Sequence, residues 1–360
     1  MKRYGLSYAF ALLALLILVL SEVVRLVPFG NDISPRIDRK EDWFYYDRYA
    51  DSVVRDGPAI KAIHGPYLRP GGFGYVYFVA LCYRLFGERA EAVYAIQMAL
   101  AIGAVLLYLR LARDRLTPRM HLAYAAMLVV LIGFDVWTDD WPQYGRRLLS
   151  ENLLLPLLAA TVWAFDWMTG KPAWWKALVC GVLCGACFLV RPNTLLLPVA
   201  LMLAMRAAAR PPHSTALFAG FVAVASLIVW RDHAVGAPGV LSILTSTADW
   251  PRPHSLSGVV PFYLRNLAFV LGIHSAIKPM MYNRVHCFAA WIGAILFAVR
   301  ALRTRAIDPF DRGVVAMLAA YFGPIVAVHI AIYGYRMLFP AMPLVFYLAA
   351  RSIDRSPREA

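Results

Sequence analysis

The chain has 360 residues, 61% of them hydrophobic and only 16% charged, with a mean hydropathy of +0.58 and a formal net charge of +14. Soluble domains hold about half apolar and about a quarter charged residues, so these values exclude an ordinary soluble protein. The basic excess needs no nucleic-acid partner, because Lys and Arg collect in cytoplasmic loops and beside anionic leaflets.

Apolar runs long enough to cross a bilayer recur along the chain, and the expected fold class is an all-α polytopic membrane protein with about ten transmembrane helices. The first run, 6–26, follows Met1-Lys-Arg and ends in Ser21-Glu-Val-Val-Arg without a small-x-small cleavage site. It reads as an uncleaved first span. Further spans are expected at 90–111, 120–138, 149–168, 174–190, 194–207, 214–231, 285–300, 313–333 and 336–350. The sixth is short, and Pro192 and Pro198 kink or shorten it. Two other apolar stretches, 73–86 and 259–273, carry Arg84 and Arg265 among many aromatics and read as helices lying along the interface.

The charges test this count. With the N-terminus cytoplasmic, the short loops on that side hold Lys2 and Arg3; Arg110, Arg113, Arg115 and Arg119; Lys171 and Lys176; Arg206 and Arg210; Arg300, Arg303, Arg305 and Arg312; and Arg351, Arg355 and Arg358. All are basic, as the positive-inside rule requires, and both termini fall on that side. The opposite side receives the long loops 27–89, 139–148 and 232–284, with most of the acids, tryptophans and tyrosines. No soluble domain or repeat stands apart, so 1–360 is read as one transmembrane domain. Its first periplasmic loop is 27–89 and its second large one is 232–284.

Chemistry is expected in the first loop. In Asp42-Trp-Phe-Tyr-Tyr-Asp47-Arg-Tyr-Ala-Asp51, the positions Asp42, Tyr46 and Ala50 follow helical spacing. An acid opening such a helix is favoured by the helix N-terminus. An interfacial helix whose acids only face water predicts the same residues, and the two readings weigh evenly. Arg69-Pro-Gly-Gly-Phe-Gly74 joins a cation suited to phosphate with flexible backbone, although a turn with a snorkelling arginine is the commoner cause of such a pattern. Glu151 opens the fourth span; Arg191-Pro192 closes the fifth; Tyr335-Arg336 opens the last. Several cations on one face suit a lipid phosphate.

Other chemistries lack their signatures. Neither G-x-G-x-x-G nor G-x-x-x-x-G-K-[ST] occurs, nor G-x-S-x-G, nor a histidine pair at metal-ligand spacing. No cofactor is expected, with a divalent metal left open. Cys180, Cys184 and Cys187 recur at helical spacing beside Gly181 and Gly185, which suits close helix packing better than metal binding. No midplane carboxylate of the ion-coupled transport kind is evident.

The order of these features resembles the GT-C superfamily of integral-membrane glycosyltransferases, in its protein O-mannosyltransferase and aminoarabinose-transferase-like branch. The resemblance rests on Asp42, Tyr46 and Ala50; on Arg69-Pro-Gly-Gly-Phe-Gly-Tyr75 running to Leu85-Phe86-Gly87; on Ser150-Glu151; on the Gly-rich run from Gly181 to Arg191-Pro192; and on Arg336, Pro340 and Pro343. Gly71 replaces the family's second proline, and the large C-terminal soluble domain of some members has no counterpart. Glu41, Asp47 and Asp51 flank Asp42, so which acid is catalytic stays open.

The resemblance implies transfer of a sugar from a polyprenyl-phosphate-linked donor to an envelope glycan, lipid or protein acceptor, on the periplasmic face of a bacterial inner membrane. It implies catalytic roles for Asp42 and Glu151. Arg69, Arg191 and Arg336 would bind the donor phosphate, and Tyr46, Asp47 and Tyr335 the substrates. The alternative is a non-catalytic lipid-linked-sugar flippase or a polysaccharide-assembly subunit, which would keep the basic face and need no particular acid.

Overall fold

The computed structural model describes residues 2–29, 42–57, 73–133, 150–205, 211–235, 256–271, 281–304, 307–328 and 338–354. All regular structure among them is helical. The helices are α1 (Gly5–Phe29), α2 (Asp42–Asp56), α3 (Phe73–Phe86), α4 (Ala90–Arg113), α5 (Pro118–Gly133), α6 (Ser150–Gly170) and α7 (Trp174–Val190). There follow α8 (Leu197–Met205), α9 (Pro211–Val235), α10 (Leu256–Val270), α11 (Met281–Thr304), α12 (Pro309–Val328) and α13 (Met342–Ile353).

The protein is an all-α polytopic membrane protein. Within α4, α6 and α9, the segments Ala90–Arg113, Ser150–Gly170 and Pro212–Arg231 are long and apolar enough to cross a bilayer, and shorter apolar helices accompany them. The sixth apolar segment is shortened as its prolines require. A 3₁₀ turn, Pro192–Thr194, follows α7, and α8 has nine residues, or about 14 Å at 1.5 Å per residue. The stretches expected at the interface form α3 and α10, each too short for a straight crossing.

The chain divides into two compact units. One comprises residues 1–32, 99–144 and 255–360. Here α1 lies along α5, α13 packs on α5 and α11, and α10 lies on α12. A buried polar cluster ties the α4–α5 turn to α12 and α13. The Tyr347 hydroxyl donates to Asp311 Oδ1 at 2.6 Å, Arg351 donates to Asp311 Oδ2 and to the Arg115 carbonyl at 3.1 Å each, and the Thr117 N–H donates to Asp354 at 2.6 Å. Arg115 lies 3.8 Å over the Phe310 ring. Arginines expected to serve only as surface charge therefore also bind helix ends together.

The other unit comprises 33–98 and 145–254, and α7 is its axis, packed against α3, α6 and α9. The run Leu178-Val-Cys-Gly-Val-Leu-Cys-Gly185 explains this, because small side chains let backbones approach closely. A Cβ added at Gly181 would lie 1.9 Å from the Leu217 carbonyl oxygen on α9, and one at Gly220 would lie 2.3 Å from the Leu178 carbonyl oxygen on α7. Cys180, Cys184 and Cys187 are wholly buried in this seam. Among the described residues, no group of three His, Cys, Asp or Glu side chains is arranged to hold a metal ion. The packing reading of the cysteine run holds.

Candidate active site

Three contacts in the α7-centred unit bring one end of each helix together. A Cβ at Gly74 would come 2.8 Å from the Leu189 carbonyl carbon, so the start of α3 lies on the end of α7. The Arg231 guanidinium stands 3.2 Å over the Phe73 ring, which adds the end of α9. The Tyr46 hydroxyl donates to Ser150 Oγ at 3.4 Å, which adds α2 to the start of α6. At the opposite end, Lys176 is buried, donates to the Lys171 carbonyl at 2.8 Å and lies 4.8 Å from the Trp167 ring centroid. Tyr46, Glu151 and Arg191 lie at the other end of this unit.

Glu151 lies in the first turn of α6 and is 1% exposed, although its neighbours Ser150, Asn152, Leu154 and Leu155 are also buried. Its carboxylate Oε1 accepts from Arg191 Nη2 in a short ion pair. Its Oε2 accepts from Ser150 Oγ at 3.2 Å, and that hydroxyl is the group on which Tyr46 bears. One polar chain thus links Tyr46, Ser150, Glu151 and Arg191 across α2, α6 and the end of α7. Arg191 has extended backbone, φ −147° and ψ 113°, because it closes α7 and precedes Pro192. That break turns its side chain from helix registry to the Glu151 carboxylate.

The α2 helix docks on α3 through several groups. Tyr49, Ala50 and Val53 are buried, and the Tyr46 ring meets Tyr75 edge-on at 4.9 Å. Tyr75 is fully buried and donates to Gln97 Oε1. The Tyr83 hydroxyl donates to Asp47 Oδ1 at 2.6 Å. Burial, and then the carboxylate that accepts its hydrogen bond, push the Tyr83 phenol well above its ordinary range, so it stays a donor. Asp51 pairs with Arg55 one turn on. Asp47 and Asp51 are both engaged by protein side chains.

The expected site residues fall into three groups. Tyr46, Glu151 and Arg191 are joined; Asp47 lies on the same helix and is held by Tyr83. Asp42 opens α2, and its side chain lies outside the described residues, as do Arg69, Tyr335 and Arg336. Gly74, one of the glycines read as allowing a ligand to approach, lies against Leu189 on α7. Sequence reading quoted Tyr75 only as part of the resemblance, without a role, and missed Tyr83, Gln97, Asn193 and Arg231. An arginine at the end of an apolar run was a signal for Arg231. The others are ordinary residues in their local pattern.

Comparison with known proteins bears on this geometry. The family model described as dolichyl-phosphate-mannose-protein mannosyltransferase matches residues 70–230, which include Tyr75, Glu151 and Arg191. No curated protein matches the chain. Among solved structures, ArnT from Cupriavidus metallidurans bound to undecaprenyl phosphate aligns with a TM-score of 0.56 at 16% identity, covering 98% of this chain and 60% of that one. The oligosaccharyltransferase AglB from Archaeoglobus fulgidus, in complex with an inhibitory peptide and a dolichol-phosphate, aligns with a TM-score of 0.55 at 14% identity. It covers 95% of this chain and 50% of that one. Over 70–230 the chain is similar to this mannosyltransferase family, and its fold is similar to that of these two structures. At these identities the structural likeness is one of fold, and the chain spans about half to three-fifths of the length of these GT-C proteins. The expected resemblance to GT-C membrane glycosyltransferases is upheld by the family match over 70–230 and by the shared fold.

Proposed function

We propose that the chain is a membrane glycosyltransferase that moves a sugar from a polyprenyl-phosphate-linked donor to an envelope glycan, lipid or protein acceptor, on the periplasmic face of a bacterial inner membrane. The observation that supports this reading best is the polar chain Tyr46–Ser150–Glu151–Arg191, which joins three nominated residues from separate elements at the end opposite the buried Lys176. The solved GT-C-like structures with undecaprenyl phosphate and dolichol-phosphate supply the donor class by analogy.

In this reading the acceptor's hydroxyl oxygen bonds to the anomeric carbon as that carbon's bond to the phosphate oxygen breaks. The hydroxyl proton passes to the Asp42 carboxylate, and polyprenyl phosphate leaves with the bonding electron pair. Arg191 binds the leaving phosphate, with Arg69 and Arg336 as further cations. A guanidinium presents five donors in a planar fork, which lets one side chain serve a carboxylate and a phosphate together. Glu151, first nominated as catalytic beside Asp42, is assigned to orient Arg191. Tyr46 and Asp47 anchor α2 on α6 and α3, with Tyr335 a substrate contact. No cofactor enters the scheme.

Asp42→Asn, assayed in membranes with a labelled lipid-linked sugar, should reduce transfer by about a hundredfold to ten-thousandfold, the range for loss of a general base. Undiminished transfer would remove Asp42 from the base role.

A further inference from the structure

Two residues beyond Arg191, Asn193 occupies the middle of the Pro192–Thr194 turn. Its Oδ1 and Nδ2 are both buried, and neither has a hydrogen-bond partner among the described residues. The turn is well fixed. The Thr194 N–H and hydroxyl donate to the Arg191 carbonyl at 3.1 and 2.8 Å, and the Leu195 N–H donates to the Pro192 carbonyl at 3.0 Å.

A buried amide with neither its donor nor its acceptor satisfied is costly, and folded chains carry few of them. A group that completes this one must accept from Nδ2 and donate to Oδ1. An ionised phosphate only accepts, so it leaves Oδ1 unmatched. A sugar hydroxyl does both, and two neighbouring ring hydroxyls offer a donor and an acceptor side by side. Placement beside Arg191 puts such hydroxyls next to a phosphate-binding cation, as in a sugar phosphate ester.

We infer that Asn193 hydrogen-bonds hydroxyl groups of the donor sugar and sets sugar specificity, while Arg191 takes the phosphate. The inference rests on the donor assignment above. A site built to bond a hydroxyl discriminates strongly against ligands lacking it, because its own polar atoms are then left unmatched.

The test uses full-length protein in detergent with C55 polyprenyl phosphate, bare or carrying one of a panel of hexoses and pentoses. The wild-type chain should bind at least one sugar-bearing lipid about tenfold or more tighter than the bare lipid phosphate. Asn193→Leu should abolish that preference and hold or raise the thermal midpoint, because it removes two unmatched polar atoms. Asn193→Ala covers the case in which leucine does not fit. Preference for the sugar-bearing lipid retained in either folded variant overturns the inference, as does a wild-type chain with no such preference. If the wild-type chain binds no polyprenyl phosphate of any kind, the donor assignment itself falls.

Discussion

Glu151 and Arg191 act as a unit. A carboxylate 1% exposed and a guanidinium 19% exposed lie in direct contact, so each neutralises a charge that burial would otherwise penalise. Glu151→Ala leaves the Arg191 charge without its carboxylate and should cost about 3–5 kcal/mol, the usual result of breaking a buried pair. Replacing both, as Glu151→Leu with Arg191→Leu, should restore much of that stability while abolishing donor binding. Thermal unfolding of purified protein reads the first effect and lipid-phosphate binding the second. If the double variant is no more stable than Glu151→Ala, the pair is not coupled as described. The sequence could nominate both residues, since acids and arginines at the ends of apolar runs are conspicuous. It could not orient them. The first turns of α6, polar residues included, are buried over a wide arc, so periodicity does not say which face Glu151 joins. Asn193 carried still less signal, because an asparagine after proline reads as a turn residue, and its unmatched amide shows only in three dimensions.

At the scale of elements, α7 is the framework on which the site rests. Its glycines admit α9 closely, and α3 approaches over Gly74, so Leu189 and Arg191 are placed by backbone contacts. Gly220→Leu would drive a side chain into the Leu178 carbonyl and should destabilise by about 1–3 kcal/mol or more. Gly103, on α4, has nothing within 4 Å of an added Cβ. There Gly103→Ala should be neutral or gain up to about 1 kcal/mol of helix propensity. Paired thermal denaturation of the two variants in one detergent checks this; equal effects would contradict close α7–α9 packing. The helices themselves were largely legible. The run expected at 6–26 forms Gly5–Phe29, and that expected at 174–190 forms Trp174–Val190. The docking of α2 on α3 was not, because Tyr83 and Asp47 are 36 residues apart and neither belongs to a recognisable motif.

Over the whole molecule, the proposed sidedness follows from charge. The basic loops at 110–119, 171–176 and 206–210 and the acid- and aromatic-rich loops at 27–89 and 232–284 alternate along the chain. A periplasmic reporter fused near residue 60 or 245 should therefore be active, and one near 115 or 305 inactive. The reverse pattern would move the Glu151–Arg191 end to the cytoplasmic face. Transfer of a sugar and its mere passage across the bilayer both use a polyprenyl phosphate handle, and they differ in the fate of the glycosidic bond. The deciding measurement follows a labelled sugar on C55 polyprenyl phosphate, incubated with the reconstituted protein and a crude envelope acceptor fraction. Transfer predicts that label leaves the lipid for the acceptor as free polyprenyl phosphate accumulates in equal amount. Label that stays on the lipid and only changes leaflet would contradict it.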